Sequence, residues 1–213
     1  MQIFVFPLGQ TVFFPGTSKP LNIFEPRYLQ MVEDSLRTGT PIGLGFVDDS
    51  TPPFMDASGQ DFLVAPGERP QFVRTVMGVG KPMVVEKRPD GTQLVFIQNL
   101  GKVELGVRVK SASPYLVCEA EYLEENESVS ADQIGPFTIL NKLLGSWIAK
   151  NIPDPVGRDQ FMSHINTPKE VLGCFSAFLV LDTDLQQAVL EENNYDSKIK
   201  LLSGLVAAGS ILS

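Results

Sequence analysis

Apolar positions in the first 125 residues come in short runs broken by Gly and Pro: residues 2–6, 42–47, 72–79, 83–87, 93–98, 103–110 and 115–122. Runs of this length, rich in β-branched and aromatic side chains and bounded by turn formers, predict strands. The stretch VVEKRPDGTQLVFI places Pro89, Asp90 and Gly91 between two alternating runs, which predicts a hairpin. Several such strands joined by tight turns predict a barrel or a sandwich. One helix interrupts them: Pro26 suits a first helical position, Tyr28, Val32 and Leu36 share a face, and Gly39 ends the run. Residues 48–70 (DDSTPPFMDASGQDFLVAPGERP) have turn formers throughout and no period, so a long, partly mobile excursion is expected.

From Glu124 the pattern changes. EENESVSADQ reads as a polar linker, and the residues beyond it have helical periodicity with explicit start signals. Pro136 opens one helix through FTILNKLLGSWIAK. Thr167, Pro168 and Glu170 combine an N-cap, a first-position proline and a capping-box glutamate ahead of VLGCFSAFLVL. Thr183 and Gln186 repeat that spacing. A last helix over residues 196–212 carries Ile199, Leu202, Leu205 and Val206 on one stripe, so four helices are expected to form a small bundle. The predicted division is residues 1–124 and 125–213.

Composition narrows the function classes. The 213 residues are 43% hydrophobic and 20% charged, the balance of an ordinary globular protein. The net charge of -8 divides evenly about residue 125, so neither half is basic and no nucleic-acid partner is expected. The opening MQIFVFPLG is interrupted at Pro7 and Gly9, unlike a secretory leader, and no apolar stretch approaches the roughly 18 residues of a membrane helix. Cytoplasmic residence is the default expectation.

Catalytic groupings fail for named reasons. His164 is the single histidine, and Met162, Ser163 and Asn166 beside it form no nucleophile–base arrangement. Cys118 and Cys174 stand far apart without a CxxC partner, so they are read as core residues, and no metal or other cofactor is expected. Gly78, Val79, Gly80 and Lys81 resemble the end of a phosphate loop, but Thr75 and Pro82 stand where Gly and Ser or Thr are required. The adjacent acids Asp48–Asp49 and Glu124–Glu125 are read as solvated loop residues.

A binding role remains, centred on FPLGQTVFFPGTSKPLNIFEPRYLQMV. Phe13, Phe14, Phe24 and Tyr28 supply apolar bulk, and an exposed patch of it would mark a partner site. Glu25 and Arg27 are charges within that apolar run. They form either a structural clamp or the border of a groove.

In this run Pro7, Leu8, Phe14, Pro15, Gly16, Pro20, Leu21, Ile23, Phe24, Glu25, Pro26, Arg27, Tyr28, Met31 and Val32 stand in register with the opening pattern of the Lon N-terminal domain family. The hairpin at Asp90 and Gly91, then Pro114, Tyr115 and Leu116, and more loosely Leu185, Gln186, Leu190, Glu191 and Leu201, also resemble family landmarks. Lys102 departs from the Arg that relatives often carry after the glycine. The resemblance implies an α+β fold, a PUA-like β pseudo-barrel followed by a C-terminal α-helical bundle. It also implies a stand-alone, non-catalytic module that recognises polypeptide substrates or serves a protease partner, since the ATPase and Ser–Lys protease domains of full-length Lon are not among these residues. Phe13, Phe14, Phe24, Glu25, Arg27 and Tyr28 are the candidate binding residues. RNA binding through the PUA-like barrel, or a small-molecule sensor with a cleft between barrel and bundle, are the alternative readings.

Overall fold

The computed structural model describes residues 1–47 and 64–211. The chain forms two compact units, one of Met1–Phe13 with Ser18–Leu123 and one of Phe14–Thr17 with Glu124–Ser213. The excursion expected at residues 48–70 lies outside the described residues up to position 63.

The first unit is a mixed sheet of β1 (Gln2–Gly9), β2 (Ser18–Ile23), β3 (Ile42–Val47), β4 (Val76–Lys87), β5 (Gln93–Arg108) and β6 (Leu116–Tyr122), with helix α1 (Pro26–Thr38). The strand order is β2-β5-β4-β3-β1-β6, and a further β5–β6 pairing closes five of the strands into a barrel. Only β1 and β3 run parallel among the named pairings. Closure works because β5 is long enough to serve twice. Its first half pairs with β2, from Ser18↔Gln98 to Ile23↔Gln93, and its second half with β6, from Val103↔Tyr122 to Arg108↔Cys118.

The two runs expected at each side of the hairpin are single strands, β4 and β5, because glycines inside them permit bends instead of ending them. A Cβ on Gly78 would lie 2.0 Å from the Phe13 carbonyl oxygen, and one on Gly80 would lie 2.3 Å from that of Gln98. Gly101, at φ +149°, sits where the β4–β5 register shifts. Close approach of two backbones is the usual reason for glycine within a strand. The strand expected from residue 72 begins later: Phe72 and Val73 are buried in irregular chain. Strand β2, absent from the predicted set, has too many polar positions and a proline to read as a strand, and Pro20 suits its place at the end of the strand order. The hairpin turn is as expected, with the Thr92 N–H donating to Asp90 Oδ1 at 2.9 Å and Gly91 at φ +88°.

Alternation along β1 fills two cores at once. Ile3 and Val5 enter a cluster with Met77, Val79, Val103, Leu105 and Cys118, while Phe4 and Phe6 enter another with Val95, Ile97, Tyr28, Met31 and Val32 of α1. Helix α1 follows Glu25 in extended conformation, places Pro26 in its first turn, and ends at Gly39 with φ +75°. Its buried stripe is Tyr28, Met31, Val32 and Ser35, so Leu36, expected on that face, is instead exposed.

The second unit holds five helices among the described residues: α2 (Ile134–Asn151), α3 (Pro155–Ser163), α4 (Pro168–Leu179), α5 (Thr183–Glu191) and α6 (Tyr195–Ala207). Four were expected. Helix α3 buries no residue, so it lacks an apolar stripe, although Asp154 caps it through the Gly157 N–H at 2.7 Å. The Thr167–Glu170 capping box is formed as expected. For α5 the cap is Asp182, one residue before Thr183, accepting the Leu185 N–H at 2.9 Å. Helix α6 begins on the Asn194 cap and stops at Ala207, short of the expected end.

The supposed linker is tied down. Glu125 pairs with Lys198, both side chains nearly inaccessible, the Asn126 N–H donates to the Asn193 carbonyl at 2.8 Å, and the Ser130 N–H donates to Asp196 Oδ1 at 3.0 Å. Glu125 is therefore not the solvated acid that its sequence neighbourhood suggests: a buried carboxylate needs its cation. The turn Phe14–Thr17 sits on α4 in the same unit, where a Cβ on Gly173 would lie 2.2 Å from the Pro15 carbonyl oxygen.

Candidate binding face

The FEPRY run separates into a clamp and an exposed tip. Arg27 Nε donates to Glu25 Oε2 at 3.0 Å, and the guanidinium carbon lies 4.3 Å from the centroid of the Tyr28 ring. The Arg27 side chain is largely buried. Tyr28 is packed in turn on Phe6, with ring centroids 4.1 Å apart. A charge-assisted bond and a cation–π contact together hold the backbone between β2 and α1. Phe24 projects from this held turn and is 69% exposed.

Phe13 and Phe14 do not join it. They are 1% and 2% exposed, Phe13 in the first unit's core and Phe14 in the second unit. The expected exposed surface at these two positions is corrected: their size made burial the cheaper fate, and only Phe24, at a strand end, is left outside. Of the six candidates, the structure brings together Glu25, Arg27 and Tyr28, with Phe24 next to them in the chain.

The outer side of β2, β5 and β4 extends the apolar surface. Register places Pro20, Phe96 and Met83 in one row across the three strands, with Leu94 two positions along β5. The inner side holds Leu21, Ile23, Val95, Ile97 and Val84 against the core. In an antiparallel sheet with one wet face, the outer positions are normally polar. Here Met83 is 60% exposed, and Val85, at a register shift, is 53% exposed. Sequence reasoning did not single out these residues. The signal was present in the unbroken run Leu94, Val95, Phe96 and Ile97, where a half-wet strand would alternate. Lys81 and Lys87, both exposed, flank this surface along β4.

Tyr115 and Asp34 fasten α1 to the segment that enters β6. The Tyr115 hydroxyl donates to Asp34 Oδ2 at 2.7 Å, and Arg37 also donates to Asp34. The hydrogen bonds from Arg37 and Tyr115 hold the Asp34 carboxyl below its usual range, and burial pushes Tyr115 up to about 12. Lys102 is buried in β5, opposite Gly78 of β4. His164 is exposed, with Nδ1 2.7 Å from the Gln160 carbonyl oxygen. Among the described residues no group of three or more His, Cys, Asp or Glu could hold a metal, and no helix is long and apolar enough to cross a membrane.

A β barrel of one unit and the helices of the other define an α+β protein. The chain belongs to the family of the ATP-dependent protease La (LON) substrate-binding domain, whose model matches residues 2–208. It is 22% identical to a Lon protease of Anaeromyxobacter dehalogenans and 21% identical to Lon protease 2 of Myxococcus xanthus, in each case over 95% of this chain. The matches cover 22% and 23% of those proteins, so the chain spans under a quarter of their length. Two solved structures share the fold: a Lon N-terminal domain protein from Xanthomonas campestris (TM-score 0.65, 16% identity) and the N-terminal domain of a Mycobacterium avium complex Lon protease (TM-score 0.69, 10% identity). Each similarity covers 97% of this chain and 98% of the other. The β pseudo-barrel followed by helices, expected from the FEPRY run, is the observed architecture.

Proposed function

We propose that this chain is a non-catalytic recognition module, acting in the cytoplasm, that binds apolar segments of unfolded polypeptides and presents them to an ATP-dependent protease. The carrying observation is the solvent-facing apolar surface of β2, β5 and β4, with Met83 and Val85 more than half exposed beside the half-buried Leu94 and Phe96. Burying one large apolar side chain contributes about 1.5–3 kcal/mol, so a few such contacts give a useful gross affinity. Phe24 is the anchoring side chain, and Glu25, Arg27 and Tyr28 keep its backbone rigid, which lowers the ordering cost of binding. Family membership supports the same reading, because the matched family is named for substrate binding.

The test is fluorescence anisotropy with a labelled, reduced and alkylated protein that cannot refold. Binding that weakens at least about tenfold in a Phe24→Ser, Met83→Ser double variant, with unchanged circular dichroism, is the expected result; about 1.4 kcal/mol suffices for it. Equal affinity of the variant and the parent would refute this assignment.

A further inference from the structure

Strand β2 stands at the end of the strand order and pairs with β5 alone, so its other edge has no partner strand among the described residues. Two prolines fix which backbone groups face that edge. Pro20 of β2 lies opposite Phe96 and has no N–H to give it, so this is a pair without mutual hydrogen bonds. Pro82 of β4 lies opposite Ile97 and imposes the same there, which turns the Ile97 N–H and C=O toward Lys19 of β2. The two constraints agree. Lys19, Leu21 and Ile23 bond to β5, and the backbone groups of Ser18, Pro20 and Asn22 point away from it.

Ser18, Pro20 and Asn22 are exposed, and among the described residues no hydrogen bond engages their outer backbone groups. The edge therefore offers the N–H groups of Ser18 and Asn22 and the carbonyls of all three, spaced with the two-residue repeat of a strand. Another extended backbone has that same repeat and satisfies them in register. The side chains of these residues stand on the outer side of the sheet, in the row Pro20, Phe96 and Met83 or two positions from it, and Phe24 follows Asn22 by two more.

We infer that β2 accepts an extended polypeptide segment as a further antiparallel strand, and that the segments selected have apolar residues at alternate positions and no proline among them. The inference rests on the apolar-face reading and adds how the segment is held there. Residues directly opposite in an antiparallel pair carry their side chains on the same face. The residues that face Ser18, Pro20 and Asn22 thus donate their N–H groups to β2 while their side chains widen the apolar row by one strand. A second copy of this chain fits the edge less well. Two β2 strands paired about Pro20 would set each Pro20 carbonyl against a residue with no N–H, which a proline-free segment supplies.

The experiment is fluorescence anisotropy on the full chain with a short labelled peptide in which valine and serine alternate, and with two versions N-methylated on the valines or on the serines. Methylated valines should weaken binding at least about tenfold, because their N–H groups face β2. Methylated serines should leave it unchanged, because theirs face solvent. Asn22→Pro, which removes an outward N–H as Pro20 already does, should also weaken binding about tenfold, with the melting temperature verifying the fold. The methylated peptides need no variant, so the test stands even where Asn22→Pro fails to fold. Equal binding of all three peptides, loss with methylated serines, or no binding of the unmethylated peptide would each overturn the inference. Weaker binding of the unmethylated peptide by the Phe24→Ser, Met83→Ser variant, alongside such a result, would leave the apolar-face reading standing. Sedimentation velocity of the chain alone is the last arm: a dimer that Asn22→Pro dissociates would give the edge to a second copy and overturn the inference, and a monomer is expected.

Discussion

The two halves of β5 face solvent with opposite chemistry. In the first half Leu94 and Phe96 point away from a core made by Val95 and Ile97, and in the second half Glu104 faces out while Val103 and Leu105 face in. Val95, Ile97, Val103 and Leu105 are apolar because both halves must fill a core, and Gln93 at the start of the strand is a buried polar exception. Leu94, Phe96 and Glu104 are free of that demand, whereas Lys102, at the same parity, is buried against β4. One half offers apolar contact and the other offers charge, on a single strand that glycines allow to bend.

The difference between inward and outward positions can be tested by substitution. Ile97→Ala, which empties a fully buried site, should cost about 2–5 kcal/mol in urea unfolding. Met83→Ala, on the outer side, should stay within about 0.5 kcal/mol. A comparable cost at both positions would mean that the outer face is covered in solution. Gly78→Ala attacks the close approach of the Phe13 backbone to β4. Its added methyl would sit 2.0 Å from the Phe13 carbonyl oxygen, so a loss of about 3 kcal/mol or failure to fold is expected.

Smaller effects sharpen the picture. Tyr115→Phe removes the bond to Asp34 and should cost about 1–1.5 kcal/mol near neutral pH. The Asp34 carboxyl is held below its usual range, so its contribution to stability is present above that range and is lost as pH falls through it. Asp34→Asn should therefore flatten the acid limb of the stability–pH curve. Tyr115 works on the alkaline side: its raised value makes stability decline as pH rises from 10.0 through about 12, and Tyr115→Phe should remove that decline. The smallest effect is Glu121→Gln, which relieves a like-charge pair and should raise stability by a few tenths of a kcal/mol. Destabilisation instead would show that Glu121 has a structural partner.

Much of the fold is legible in the chain. Capping signals at Thr167–Glu170, the Pro26 and Gly39 limits of α1, and the Asp90–Gly91 turn are local chemistry and appear where their residue types predict. The FEPRY run identified the family, and the Glu25–Arg27 pair formed as a clamp. Less legible were β2, whose polar and proline content hides a strand, and α3, which buries nothing. The outer apolar face was missed because an apolar residue in a strand reads as core until its partner strands are known. Phe13 and Phe14 misled for the same reason.

The sequence alone determined the elements whose causes lie within a few residues: caps, turns, strand-length apolar runs, and the family to which they add up. Tertiary structure decided which side of each strand faces water, that β4 runs through Gly78 and Gly80 as one strand instead of two, that Phe14–Thr17 joins the helical unit, and that Glu125 finds Lys198. These depend on partners dozens of residues away, and a side chain's burial or charge balance has no local signature until the backbone brings those partners together.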